Sequence, residues 1–344
     1  MTNKLFKYGE YSKKETGNGN SNKNLPFNVS YSIKNKSTTI NDPIFTKKIY
    51  NEFIVLDFET TGLYPETDKI IEVSALKYKD GIKVDEFHTL INPKIKIPSE
   101  ITMINGITNA MVKNKPTLQV VLPNLLEFIG DLPIVAHNAP FDAKFLKYAV
   151  LYTYGEDTVN NEFIDTLNIA REIYPRLVNY KLETIKKYLQ LNLESHRAYD
   201  DTLVTAQIYL DYCKKKREEY MSQIPTYDPI DEDIYKCFIA HKSGMNEKIG
   251  TWEDFYKIEE KIAEICNEHG GRYYKSSSKN AKFAIIFNYT NRTKSCVDTL
   301  RNKGYKVTTF EEALKFFGLE DMWNIESLQE AEKEYKEYIY GFVN

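Results

Sequence analysis

No two of the four cysteines, Cys213, Cys237, Cys266 and Cys296, stand at the spacing of a metal knuckle. That excludes a C-x-x-C metal site and the dense disulfide framework of a secreted scaffold, and the four are read as reduced thiols of a cytosolic protein. No uninterrupted apolar stretch reaches membrane-spanning length, and the N-terminus lacks the apolar core of a signal peptide. The expectation is a cytoplasmic protein without a membrane partner. A strong field of one sign is also missing, because the net charge is only −3, so any nucleic-acid contact must be local.

What is present is enough apolar material for a core: 42% of the 344 residues, with 26 Tyr and 18 Phe, a length that allows two domains. Residues 1–50 differ from the rest, carrying nine Lys against Glu10, Glu15 and Asp42. With the run from Gly17 to Asn24, residues 1–47 read as a flexible Asn/Lys-rich tail that buries too little to offset its ordering entropy. From Lys48 strand and helix signals alternate. Strands are expected at Phe53–Glu59, Ile70–Lys77, Glu86–Ile91, Pro133–Ala136 and Phe163–Asp165, with helices over 120–129, 141–151, 166–174, 182–189 and 198–215. Three strands followed by alternating helices indicate an α/β domain with a mixed sheet over residues 48–217. The polar stretch 218–233, with Pro225 and Pro229, is the expected linker. A smaller α/β pattern follows over 234–320, and 321–344 reads as a charged C-terminal helix.

The first strand ends in Asp57-Phe-Glu59-Thr-Thr-Gly62. In a strand, residues i and i+2 share a face, so Asp57 and Glu59 project together. Two adjacent carboxylates at the end of an apolar strand are costly unless a cation lies between them, and a hard divalent ion is the usual answer. Two later features supply further acids: Asn138-Ala-Pro-Phe-Asp142, where a strand leads into a helix, and His196-Arg-Ala-Tyr-Asp-Asp201, where a loop histidine precedes a helix. Strand ends meeting helix N-termini are where open α/β sheets place their sites. Taken singly, each has a plainer reading as a solvated turn, a helix cap or first-turn acids; nothing structural requires the whole set. His137 falls outside the pattern and is read as structural.

In these three ordered motifs the chain resembles the DEDDh family of 3′ to 5′ exonucleases, which includes the epsilon proofreading subunit of bacterial DNA polymerase III. Ile70-Ile-Glu72-Val73, Ile91-Asn-Pro93 and Gly106-Ile-Thr108 fit as well; Asn105 departs, since many relatives have His there. The resemblance implies a ribonuclease H-like fold and hydrolysis of phosphodiesters at DNA 3′ ends, releasing nucleoside 5′-monophosphates with two Mg²⁺ or Mn²⁺ ions. It implies Asp57, Glu59, Asp142 and Asp201 as metal ligands and His196 as general base, suited by a reference pKa of about 6.5. Thr60, Thr61, Gly62 and Leu63 would hold the 3′-terminal nucleotide, with Asn138 on the phosphate backbone.

Residues 234–320 resemble a BRCT domain in Ser243-Gly244, Gly270-Gly271, the strand Phe283–Phe287 and Lys303-Gly-Tyr-Lys-Val307; the aromatic of the final helix is represented by Phe316 or Phe317. That resemblance implies recruitment to DNA, a polymerase or another replication or repair protein, with Ser243, Gly244 and Lys294 as a phosphate site. The alternatives are an RNA 3′-end-trimming exonuclease, since 2′-hydroxyl contacts decide that choice, and a non-catalytic nucleic-acid-binding recruitment protein.

Overall fold

The computed structural model describes residues 40–191, 197–243 and 249–343. In chain order the first part contains strands β1 (Ile44–Phe45), β2 (Ile49–Tyr50), β3 (Glu52–Thr60), β4 (Ile70–Lys79) and β5 (Ile82–Leu90), then helices α1 (Ser99–Asn105), α2 (Asn109–Val112) and α3 (Leu118–Ile129). It continues with β6 (Ile134–Ala136), α4 (Pro140–Tyr154), β7 (Glu162–Asp165), α5 (Thr166–Ile173), α6 (Leu182–Tyr188) and α7 (Ala198–Gln223). The six-stranded sheet runs β1-β7-β6-β3-β4-β5; β1, β7, β6 and β3 are parallel and the β3/β4 and β4/β5 pairs antiparallel. This is the mixed, helix-flanked sheet expected from the sequence.

Alternation along β3 decides which helix covers which face. Ile54, Leu56 and Phe58 pack with Phe145, Leu146 and Val150 of α4, whereas Phe53 and Val55 pack with Val204, Ile208 and Tyr209 of α7. Asp57 and Glu59, two and four residues beyond Val55, therefore lie on the α7 face. Strand β5 starts four residues before its expected position, after an Asp80-Gly81 turn with positive φ at both residues. The added residues Ile82-Lys-Val84-Asp85 alternate in polarity, yet all of them stand exposed at the sheet edge.

Two expected boundaries move. The tail ends earlier than 47, since Ile44–Phe45 pairs with β7, while residues 1–39 lie outside the described part. Helix α7 continues through Gln223 into the expected linker, carried past its apolar seam by pairs such as Lys216–Glu219 and by Tyr220 packed on Tyr340.

The second part holds β8 (Cys237–Ala240), α8 (Trp252–Glu268), β9 (Phe283–Ile286), α9 (Lys294–Asn302), β10 (Lys306–Thr309), α10 (Phe310–Phe317), α11 (Ile325–Tyr340) and β11 (Phe342–Val343). Strands β8, β9 and β10 form a parallel sheet in the order β10-β9-β8. Arg272 and Tyr274 donate their N–H groups to Tyr235 and Cys237 carbonyls, which lengthens the sheet at the β8 edge. The aromatic core role given to Phe316 or Phe317 falls mainly to Trp323: it lies against Phe255, Phe287 and Phe310, while Phe316 is 40% exposed. Helix α11 ties this part to the first. Its Glu332 pairs with buried Arg292, which also grips Glu311, and beyond it β11 runs parallel to β2.

Candidate active site

Three acids from distant segments converge. Asp57 and Glu59 on β3 and Asp201 in the first turn of α7 each offer a carboxylate oxygen within 4.8 Å of the others. Asp142 stands outside that group, its charge acting on Asp57. It stands in the first turn of α4, 2% exposed, and its Oδ1 accepts the Phe58 N–H at 3.1 Å. That amide is available because β6 pairs with β3 only at Ile54 and Val55.

Crowding shows in the protonation equilibria. Burial, then the charges of Asp142, Glu59 and Asp201, hold Asp57 well above the usual carboxylate range. Burial likewise raises Asp142, partly opposed by the Phe58 N–H. Glu59 is pushed up to about 7, first by burial and then by Asp201 and Glu72, against the Asn105 amide and Arg197. Mutual repulsion of this kind is relieved by a cation, and an all-oxygen donor set fits a hard divalent one. Among the described residues this is the one His/Cys/Asp/Glu group with metal-holding geometry.

The remaining expected residues divide. Thr60 and Thr61 are buried; Thr60 Oγ1 donates to the Gly62 carbonyl at 2.5 Å, and Thr61 Oγ1 reaches Asp68 at 3.3 Å while accepting the Lys69 N–H. Asp68 also accepts the Tyr64 N–H at 2.9 Å, so it organises the whole turn. Leu63 is 72% exposed beside it. Asn138, exposed and at φ 62°, gives its N–H to Asp165 at 3.0 Å. His137 bonds Thr166 and the Tyr180 carbonyl, the structural role expected. His196 and Gly244 lie outside the described residues. Exposed Ser243 meets Asn288 and exposed Lys294 opens α9, and no bond brings Ser243 and Lys294 together.

Sequence reasoning passed over the residues behind the acids. Asn105 Nδ2 donates to Glu59 Oε2, and buried Glu72 accepts from Arg197, His88 and the Ala198 N–H. The signal for Glu72 was its place in a buried strand, where an unpaired acid is untenable. Helices α1 and α2 were not foreseen either, although Gly106-Ile-Thr108, the link between them, was. Among the described residues no helix is long and apolar enough to cross a membrane.

Comparison with known proteins gives one family. A family model described as an exonuclease, RNase_T, matches residues 54–209. The PolC-type DNA polymerase III of Clostridium perfringens is 45% identical over 170 residues, 49% of this chain and 12% of that protein. The epsilon subunit of DNA polymerase III from Aquifex aeolicus is 37% identical over 160 residues, 46% of this chain and 78% of that protein. The chain thus spans about an eighth of the PolC-type relatives and most of the epsilon relative. A solved structure of exonuclease X in complex with 5′ overhanging duplex DNA is 30% identical, covering 47% of this chain and 92% of that one at a TM-score of 0.39.

Proposed function

The chain belongs to the exonuclease family, and from that premise we propose that it is a metal-dependent 3′ to 5′ exonuclease acting on single-stranded or frayed DNA ends in replication proofreading or repair. The observation that carries this reading is the convergence of Asp57, Glu59 and Asp201 oxygens within 4.8 Å, with Asp142 beside them. These four carboxylates would hold the two Mg²⁺ or Mn²⁺ ions. When bound, such ions supply hydroxide near neutral pH and charge on the leaving 3′ oxygen.

The chain's own residues do the rest. The Thr60–Leu63 turn, held by Asp68, seats the terminal nucleotide, and Leu63 offers it an apolar surface. Asn138 contacts the backbone of the substrate. His196 takes the proton of the attacking water on its imidazole, a role matched by a reference pKa near 6.5. The account is tested by His196→Ala, which should leave Mn²⁺ binding intact while slowing hydrolysis; full rate at neutral pH would remove His196 from the mechanism.

For residues 234–320 we propose a BRCT-like recruiting module toward a polymerase or another replication or repair protein. Its support is the parallel sheet, widened beside β8 by the 272–274 segment, and the closeness of the β8 and α9 ends, where His241 Nε2 and Cys296 Sγ stand 3.1 Å apart. Ser243, just after β8, and Lys294, at the start of α9, are its phosphate-binding candidates together with Gly244, which lies outside the described residues.

A further inference from the structure

Strand β4 lies beside β3 in a register that sets Glu72 opposite Glu59 and Ser74 opposite Asp57. Directly opposed residues of an antiparallel pair share a face, so the four side chains form two rows beneath α7. The β3 row meets the acid cluster, and the β4 row meets the helix. We propose that Glu72 and Ser74 are positioning residues that set Asp201 against Asp57 and Glu59. The inference rests on the metal-holding reading of the cluster.

The contacts act on both sides of Asp201. Upstream, Glu72 Oε1 accepts from Arg197 Nη2 at 2.9 Å and lies 3.0 Å from His88 Nε2, while Oε2 accepts the Ala198 N–H at 3.3 Å. The α7 N-cap residue, Arg197, makes no side-chain cap bond, so a strand 126 residues earlier supplies the acceptor that a first-turn amide requires. Downstream, Ser74 Oγ and Thr202 Oγ1 are 3.1 Å apart. Thr202 already donates its single hydroxyl hydrogen to the Tyr199 carbonyl at 2.6 Å, so Ser74 is the donor in that pair. Glu72, Ser74 and Thr202 are each 0% exposed, and the bonds exchange with no water at the surface. Asp201 is thus bracketed, and its neighbour on the other side of Ala198, Arg197, follows His196 directly. Groups that orient metal ligands in this way carry about 10- to 100-fold of metal affinity or activity.

The test uses the full chain and reads Mn²⁺ binding by electron paramagnetic resonance, together with kcat and KM on a DNA 3′ end. Thr202→Val, isosteric without the hydroxyl, is expected to weaken Mn²⁺ binding and lower kcat by about tenfold while KM stays within about twofold, and Thr202→Ser to restore wild-type values. Unchanged Mn²⁺ affinity and kcat in folded Thr202→Val overturn the inference, as does a Thr202→Ser defect equal to that of Thr202→Val. If Thr202→Val does not fold, Ser74→Ala carries the same expectations, because it leaves the Thr202–Tyr199 bond in place. Wild-type protein that binds no Mn²⁺ overturns the metal reading, and the clamp with it; wild-type binding with unaffected variants overturns the clamp alone.

Discussion

Asn105 Nδ2 donates to Glu59 Oε2 at 3.1 Å, and the same amide is held from behind by the Ile107 N–H on its Oδ1 at 3.0 Å. The anchored amide aims its donor at one carboxylate and favours the charged form of Glu59, opposing the burial and the Asp201 charge that still leave its pKa raised to about 7. Asn105→Leu should raise that pKa further. Because the proposed ligand is the ionised carboxylate, Mn²⁺ binding at pH 7 should weaken by about tenfold and recover at higher pH. A titration series from pH 6 to 9 reads this directly; an unchanged midpoint would detach Asn105 from the site.

The three raised acids set the pH dependence of folding without metal. A carboxylate whose folded pKa lies above its ordinary value favours the fold below that ordinary value, and the contribution is lost as pH rises through the folded pKa. For Glu59 the window runs from its ordinary 4.5 to about 7. Mn²⁺ should therefore raise Tm more at pH 8 than at pH 5, and ethylenediaminetetraacetate should abolish the difference. Calorimetry at both pH values checks it; equal shifts would contradict it.

Glu72 has the opposite sign. Burial alone would raise it, but the bonds from His88 and Arg197 outweigh that and hold it down to about 2. Its stabilisation is complete above the ordinary value of 4.5 and is lost as pH falls toward 2. Glu72→Gln should accordingly lower stability at pH 7 more than at pH 3 in denaturant titrations.

A Cβ at Gly62 would stand 2.4 Å from the Asp68 carboxylate, which is itself tied to Thr61 and Tyr64. Gly62→Ala must push Asp68 away and loosen the turn. The expected result is a higher KM for a DNA 3′ end, by about tenfold, with Mn²⁺ affinity unchanged.

Much of this was written in the sequence, for identifiable reasons. The β3 acids follow an apolar run and, two residues apart in a strand, share a face, and Asp142 and Asp201 are first-turn acids of two helices expected from the sequence. What stayed illegible depends on register and long-range partners. Nothing local shows that Glu72 lies opposite Glu59 or reaches Ala198. Trp323, outside any helix, gave no periodic sign that it would fill the second core. The reach of α7 past residue 215 lay in surface charge pairs, which apolar spacing does not register.

Arg292 joins α11 to the second core through Glu311, at 2.6 and 2.8 Å, and Glu332. Arg292→Ala leaves buried Glu311 without its cation, while Glu332 keeps Lys336, and should cost about 3–5 kcal/mol in chemical denaturation, because a buried charge that loses its partner is uncompensated. Wild-type stability would contradict the tie.

The central claim is a metal-assisted 3′ to 5′ cleavage site built on Asp57. The most direct measurement follows nucleotide release from DNA oligonucleotides labelled at the 3′ or the 5′ end, with Mg²⁺ or Mn²⁺, using wild type and Asp57→Ala. The account predicts stepwise release of nucleoside 5′-monophosphates from the 3′ end by wild type and none by Asp57→Ala. Release by Asp57→Ala at the wild-type rate, or none by wild type with either metal, would contradict it.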